Sequence, residues 1–264
     1  MAEGIATLYS EYEVLPDQDG FADFHVAVVP GRRLPRPLCV FEMDGLRPFT
    51  PLASDEAFAF LEWGMNWCVT GYCHTLLTIH SAVLERDGRA LIMPAPPGSG
   101  KSTLCAALAL HGWRLLSDEM TLLDTKTGMV VPAVRPVSLK NASIEIIRQL
   151  APAQEFGPIA YDTMKGTVAH MRAPSASVAR SDEVSLPAWV VFPSYVADAS
   201  TSLVARGKAT SLMQLAGNCF NQNVHGRSGF HALAELVDRC GCYVFSYGLL
   251  DEAIEVLTNL PVPQ

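Results

Sequence analysis

The stretch Pro96-Pro97-Gly98-Ser99-Gly100-Lys101-Ser102-Thr103 decides how this chain is read. It meets the G-x-x-x-x-G-K-[ST] template of a phosphate-binding loop, or P-loop, except that Ala95 stands at the first glycine's position. Gly98 and Gly100 let backbone N–H groups close on phosphate oxygens, and a helix opening near Lys101 turns its positive dipole end toward the same anion. Lys101 is placed to reach the β- and γ-phosphates of a nucleotide, and Ser102 to offer its hydroxyl to Mg²⁺. The expected cofactors are therefore ATP and Mg²⁺, held at Pro97, Gly98, Ser99, Gly100, Lys101, Ser102 and Thr103.

The flanks support this reading. Residues 89–94 form a short apolar run behind an Asp87-Gly88 turn, the pattern of a buried strand. Residues 103–110 are rich in helix formers and stop at His111-Gly112. A glycine turn that merely joins a strand to a helix is the alternative, and the Lys-Ser pair speaks against it.

One helix further on, residues 113–123 read as an apolar strand interrupted by Asp118 and Glu119. Charges inside such a strand are costly unless paired or metal-bound. Parallel strands flanking one helix bring their C-terminal ends to the same side, so Asp118 is expected beside the phosphate site. Asp118 thus joins Ser102 at the expected metal site. Upstream, residues 75–84 read as one strand that turns through residues 85–89 into the strand before the loop. The register of that hairpin decides whether His80 faces the phosphates or is a satisfied core histidine.

Composition narrows the possibilities. The 264 residues suffice for a full core, 49% are hydrophobic and only 17% charged, so a compact globule is expected rather than disorder. A net charge of −8 and a pI near 5.3 argue against a general nucleic-acid surface, which would need a basic face. The seven cysteines are scattered, mostly in apolar surroundings, and read as reduced core thiols. Residues 1–6 lack a basic segment followed by an apolar one, and no apolar run reaches the roughly 18 residues of a membrane span, so a cytoplasmic protein is expected.

Residues up to about 53 carry two strand-like pieces, 25–29 and 39–43, punctuated by prolines, with Arg32, Arg33 and Arg36 in a solvated turn. Ser54 is the expected N-cap of a buried helix through residue 68, with Phe60, Trp63 and Trp67 in its core face. A turn at 126–128 follows the carboxylates, and Arg135 and Lys140 are the nearest downstream cations. Residues 143–150 suggest a helix. Residues 163–172 gather Lys165, His170 and Arg172 around Gly166, as an anion or substrate loop would, a solvated hairpin being the alternative. Strands at 188–193 and 242–247 and helices at 209–219, 229–239 and 250–258 complete an α/β chain without internal repeats. Two parts are expected: 1–74, β-rich with a buried helix, and 75–264, the catalytic domain.

With the P-loop, Ser117-Asp118-Glu119 one helix later and His80 on the strand before, the chain resembles bacterial HPr kinase/phosphorylase catalytic domains. Over residues 49–257 it more closely resembles the HPr-kinase-related kinase A family. The matching runs are Leu61-Glu62-Trp63-Gly64-Met65-Asn66-Trp67-Cys68, Gly112-Trp113-Arg114-Leu115-Leu116-Ser117-Asp118-Glu119, Arg135-Pro136-Val137-Ser138-Leu139-Lys140-Asn141 and Lys165-Gly166-Thr167-Val168-Ala169-His170.

The resemblance implies a P-loop kinase core of the HPr kinase/phosphoenolpyruvate carboxykinase type, with a small β-rich N-terminal extension. It implies transfer of the γ-phosphoryl group of ATP to a hydroxyl of a peptide, a protein serine or a small alcohol. By the same resemblance Asp118 accepts the hydroxyl proton. Glu119 stands where HPr kinases usually carry a second Asp and supports Mg²⁺, and His80 matches the histidine near the transferring phosphate. With Lys101 these make the expected catalytic set. Arg135, Lys140, Lys165, His170 and Arg172 are expected acceptor or phosphate contacts. HPr kinases form rings, so a homo-oligomer is one expectation. The glycine-rich signature that follows in HPr kinases is replaced here by residues 135–141, a departure that bears on HPr as substrate and on the reverse phosphorylase activity. Two other function classes stay open: an ATP-hydrolysing regulatory or assembly protein, and a nucleotide-binding scaffold without chemistry.

Overall fold

The computed structural model describes residues 1–15, 21–32, 36–96 and 98–263. Arg33 and Pro97 lie outside them. Among the described residues no helix is long and apolar enough to cross a membrane.

The chain opens with a short helix, α1 (Ala2–Leu8), ahead of the expected β-rich lead-in. Its anchor is tertiary rather than intrinsic, because seven residues are too few to hold a helix alone. Leu8 is fully buried against Gly157, and Gly4 lies against Phe58 and Pro158. Strands β1 (Val26–Pro30), β2 (Leu38–Met43) and β3 (Leu52–Ala53) then form an antiparallel sheet in the order β1-β2-β3.

Ser54 does not cap the next helix. It begins a 3₁₀ turn, Ser54–Glu56, and α2 (Ala57–Tyr72) follows without a side-chain cap. Packing against the sheet holds α2 instead: Phe60, Leu61 and Cys68 bury with Val28, Cys39, Phe41 and Met43. Each fully buried large side chain adds roughly 1.5–3 kcal/mol. Gly64 permits this approach, since a Cβ there would lie 2.1 Å from the Phe41 ring. Trp63, expected in the core, is 41% exposed and instead caps the aromatic cluster, stacked on Phe60 and 4.4 Å from Phe49.

The remainder builds on a six-stranded mixed sheet. Residues 75–84, expected as one strand, break at Ser81 into β4 (Leu77–His80) and β5 (Ala82–Arg86). After the Asp87-Gly88 turn come β6 (Arg89–Met93) and α3 (Lys101–Leu110). Residues 113–123 likewise break, at the two carboxylates, into β7 (Arg114–Ser117) and β8 (Met120–Leu123). Then follow β9 (Val130–Val131), β10 (Val137–Lys140), α4 (Ala142–Leu150), β11 (Ala160–Thr163), β12 (Gly166–Met171) and α5 (Ser175–Val178). The last third comprises β13 (Leu186–Tyr195), β14 (Ser202–Ala205), α6 (Lys208–Gly217), α7 (Gln222–Arg239), β15 (Gly241–Tyr247) and α8 (Leu250–Thr258).

The large sheet has the order β14-β15-β13-β6-β5-β7. Strands β6, β13 and β15 are parallel, and β14 and β5 run against their neighbours. Both faces are covered, which is why the strands read as near-continuous apolar runs. Leu91 and Met93 of β6 face the core that holds α3 and α8, whereas Ala90 and Ile92 face the one that holds α7. The hairpin neighbours β5 and β6 pair as expected, and β5 lies between β6 and β7, antiparallel to both. Two reversals restore the direction, so β6 and β7 still end on the same side of the sheet.

That side carries a corner. β5 pairs with β7 in the large sheet, and directly beyond the breaks β4 pairs with β8 in a second sheet, β4-β8-β9. The two chains leave one sheet and enter the other together. Ser81 and Thr121 hydroxyls, both fully buried, share a 2.7 Å hydrogen bond at the bend. A third small sheet, β10-β12-β11, lies beyond it.

Candidate functional site

The turn before α3 is built on two left-handed glycines, Gly98 (φ +84°) and Gly100 (φ +85°). Gly100 is required twice over, by its backbone and by its neighbours. A Cβ there would meet the Tyr247 hydroxyl at 2.5 Å and Tyr195 Cβ at 2.9 Å. Those tyrosines, at the ends of β15 and β13, hold the turn in place: Tyr247 Oη donates to the Gly100 carbonyl at 3.3 Å, and the Tyr195 N–H donates to the Ser99 carbonyl at 3.0 Å. Neither tyrosine was singled out from the sequence, since both sit about 100 or more residues downstream in ordinary strand patterns.

The helix start leaves donors free. The first N–H groups of an α-helix have no acceptor within it, and those of Lys101, Ser102 and Thr103 find none elsewhere among the described backbone. Lys101 itself is buried, 7% exposed, and its ammonium has no hydrogen-bond partner among the described residues. Burial pulls its pKa down, opposed by Glu119 and Asp118. The Ser99 hydroxyl is also buried without a partner among the described residues. Thr103, expected to face phosphate, donates to Ser143 Oγ on α4 at 2.7 Å and so ties the two helices together.

The carboxylates sit at the corner between β7 and β8, the place where the strand leaves one sheet for another. Asp118 is buried, and one of its oxygens, Oδ2, accepts the Ser138 N–H at 2.7 Å. Burial first, then the neighbouring Glu119, pushes its pKa up to about 7, against the pull of that hydrogen bond, Arg135 and Lys101. Glu119 is less enclosed and has basic side chains on two sides: His80 Nε2 at 3.9 Å and Lys140 Nζ at 3.9 Å. His80 thus belongs with the carboxylates, positioned by the β4–β8 pairing that sets it opposite Met120. Burial, then Lys101, lowers its pKa, so it is neutral at pH 7. Lys165, in the β11–β12 turn, is exposed; desolvation of its ammonium and the nearby Lys140 lower its pKa.

Three other residues expected at the site sit elsewhere or act differently. Arg135 is hydrogen-bonded to Asn66 Oδ1 on α2 and lies close enough to the buried Glu62 to oppose the upward shift of that carboxyl. His170 is buried against Phe58 at 5.4 Å, with its pKa lowered to about 3 by burial and nearby cations, which makes it a neutral core residue. Arg172 is engaged by Glu11 and Glu155 and clasps the N-terminal arm, away from the carboxylates. The same arm donates Tyr9 Oη to Glu62 at 2.6 Å and Tyr12 Oη to the Val134 carbonyl at 3.3 Å, and the latter bond, with the Arg172–Glu11 pair, stitches residues before and after 74 together.

Among the described residues no group of three or more His, Cys, Asp or Glu side chains is arranged to hold a metal ion. Asp118, Glu119 and the Ser102 hydroxyl are therefore a partial set. That suits Mg²⁺, which binds through one or two carboxylates and completes its shell with water and phosphate oxygens. Chemically, the arrangement offers an anion seat at a helix start, a desolvated ammonium beneath it, and a carboxylate whose pKa near 7 fits proton transfer at neutral pH. The chain matches no protein-family model and no curated protein.

Proposed function

We propose that this protein is an ATP- and Mg²⁺-dependent kinase of the HPr-kinase-related type, with a P-loop kinase core, that passes the γ-phosphoryl group to a hydroxyl. The observation that carries the reading is the buried, unpartnered Lys101 ammonium at the start of α3, directly after two left-handed glycines. An enclosed ammonium without a hydrogen-bond partner is costly even with Glu119 and Asp118 nearby, and a fold retains it when a ligand completes it.

Ser99 to Thr103 line the seat for the phosphates, with free backbone N–H groups and the Lys101 ammonium taking up negative charge. Ser102, Asp118 and Glu119 are the residues to hold Mg²⁺, which supplies neutralisation of phosphate charge when bound. The acceptor oxygen forms its bond to the γ-phosphorus as the bond to the bridging oxygen of ADP breaks. The free oxygen of Asp118 takes the acceptor's proton as transfer completes, a role its pKa of about 7 allows. Neutral His80 and Lys140 flank Glu119 and fix its orientation. The acceptor class is a peptide or protein serine, or a small alcohol.

The test is Asp118→Asn. ATP affinity is expected to stay within a few-fold while phosphoryl transfer is lost. Parental transfer by the Asn protein would remove Asp118 as the base. ATP turnover without any phosphorylated product in cell extract would point to a regulatory ATPase, and ATP binding without turnover to a scaffold.

A further inference from the structure

A cavity of about 230 Å³ opens beside the carboxylate corner. One wall is the N-terminal layer, with Phe24, Val26, Met65 and Val69, and the other is the corner itself, with Ser117 and Met120. Four of these six are only half-buried, so the cavity is reachable from outside. Its relation to the site is covalent. The chain leaves the lining at Ser117, places Asp118 and Glu119, and rejoins the lining at Met120. Consecutive Cα atoms are about 3.8 Å apart, so a group inside the cavity is within a residue or two of the carboxylates.

The lining also has a definite chemistry. It is mostly apolar, and its one cation, Arg135, is already engaged by Asn66 and lies near the buried Glu62. No unmet charge invites an acidic ligand. An apolar cavity of about 150 Å³ is enough to hold benzene, so this one accommodates a single large apolar side chain. Two features beside it favour a peptide over a small alcohol. β1 is the edge of its sheet, pairing only with β2 among the described residues, so it offers backbone groups to an extended chain next to Val26. A small alcohol, by contrast, needs convergent polar groups that this lining does not provide.

We infer that the cavity seats a large apolar side chain (Leu, Met or Phe) of a peptide acceptor, within two residues of the serine or threonine presented to Asp118. The inference rests on the kinase reading and adds the acceptor's class and its selectivity. The test uses the full chain, Mg-ATP and a peptide library with a central serine and randomised flanks, compared between the wild type and Ala133→Leu, which fills the cavity from the wall opposite α2. Val69→Phe serves as a second filling variant if the first fails to fold. Leu, Met or Phe is expected to be preferred about tenfold at one flanking position, and both variants are expected to lose that preference with ATP affinity unchanged.

A second readout is direct: ¹³C-methyl signals of Met65 and Met120 should shift when the preferred peptide, with alanine in place of its serine, is added. Phosphorylation without an apolar preference, or filling variants that keep the preference, overturns the inference and leaves the kinase reading standing. ATP binding without transfer to any peptide also overturns it. Failure to bind ATP at all overturns the kinase reading itself.

Discussion

Strands β5 and β7 carry buried charge at both ends, and the two ends are treated in opposite ways. At one end Glu85 sits opposite Arg114 in register, both almost fully buried. Arg114 bonds to Glu85, to the Arg180 and Glu183 carbonyls at 2.8 and 2.9 Å, and to Ser185 Oγ at 2.6 Å. Every part of the guanidinium fork is used. At the other end, past Val83 and Ser117, the Lys101 ammonium has no hydrogen-bond partner and Asp118 has one hydrogen bond among the described residues. The saturated cluster locks the turn before β13 to the sheet edge. The unsaturated one keeps bonding capacity that the described residues do not use, as the proposed nucleotide site requires. Burial alone therefore does not mark a functional charge; unmet bonding capacity does.

The comparison can be broken most severely at the saturated end. Glu85→Ala strands a buried guanidinium and is expected to cost about 3–5 kcal/mol of stability, read by urea denaturation, with ATP affinity of the folded fraction unchanged. At the open end Lys101→Ala should instead leave stability level or slightly raised while lowering kcat about 10²–10³-fold, by analogy with removing one oriented donor. Equal destabilisation by both substitutions would erase the distinction.

A pH experiment sharpens it. The folded pKa of Asp118, about 7, lies above the ordinary carboxylate value of about 3.9. The folded state therefore binds more protons between these values. Its contribution is fully present below about pH 4 and is lost as pH rises through about 7, on the order of 4 kcal/mol in total. Denaturation curves of the nucleotide-free protein should show this loss, and Asp118→Asn should flatten it. The smallest effect is expected of His80→Gln. Because His80 touches Glu119 only at 3.9 Å and is neutral at pH 7, about a threefold to tenfold drop in kcat is expected, measured at saturating ATP.

Legibility in the sequence follows the range of the forces involved. The strand, turn and helix at 89–110 were readable because glycines, lysine and helix formers act locally. Helices α4, α6, α7 and α8 were readable from their spacing, apart from their ends and the α7 kink at Gly226. The breaks at Ser81 and at Asp118-Glu119 were not, because the residues on both sides are apolar in either sheet and periodicity does not report which sheet a strand joins. The insertion of β5 between β6 and β7 is likewise a pairing choice made over distance. At the site, Lys101, Asp118 and Glu119 stood out by residue type in context, His80 only through the resemblance, and the structure brings the four side chains near one another. His170 and Arg172 were misleading: a cluster of basic letters around Gly166 gave no sign that one faces Phe58 and the other Glu11. The cavity was invisible, since Phe24 and Ser117 meet only through the fold.

The tyrosine grip on Gly100 has a consequence for biogenesis. Tyr247 arrives on β15, which inserts between β13 and β14 only after α7 has been made. Until that insertion a growing chain has its glycine turn synthesised but unbraced on one side. Competence to bind nucleotide should therefore appear late on the ribosome, with nascent chains released before residue 241 remaining inert however well their first half has folded.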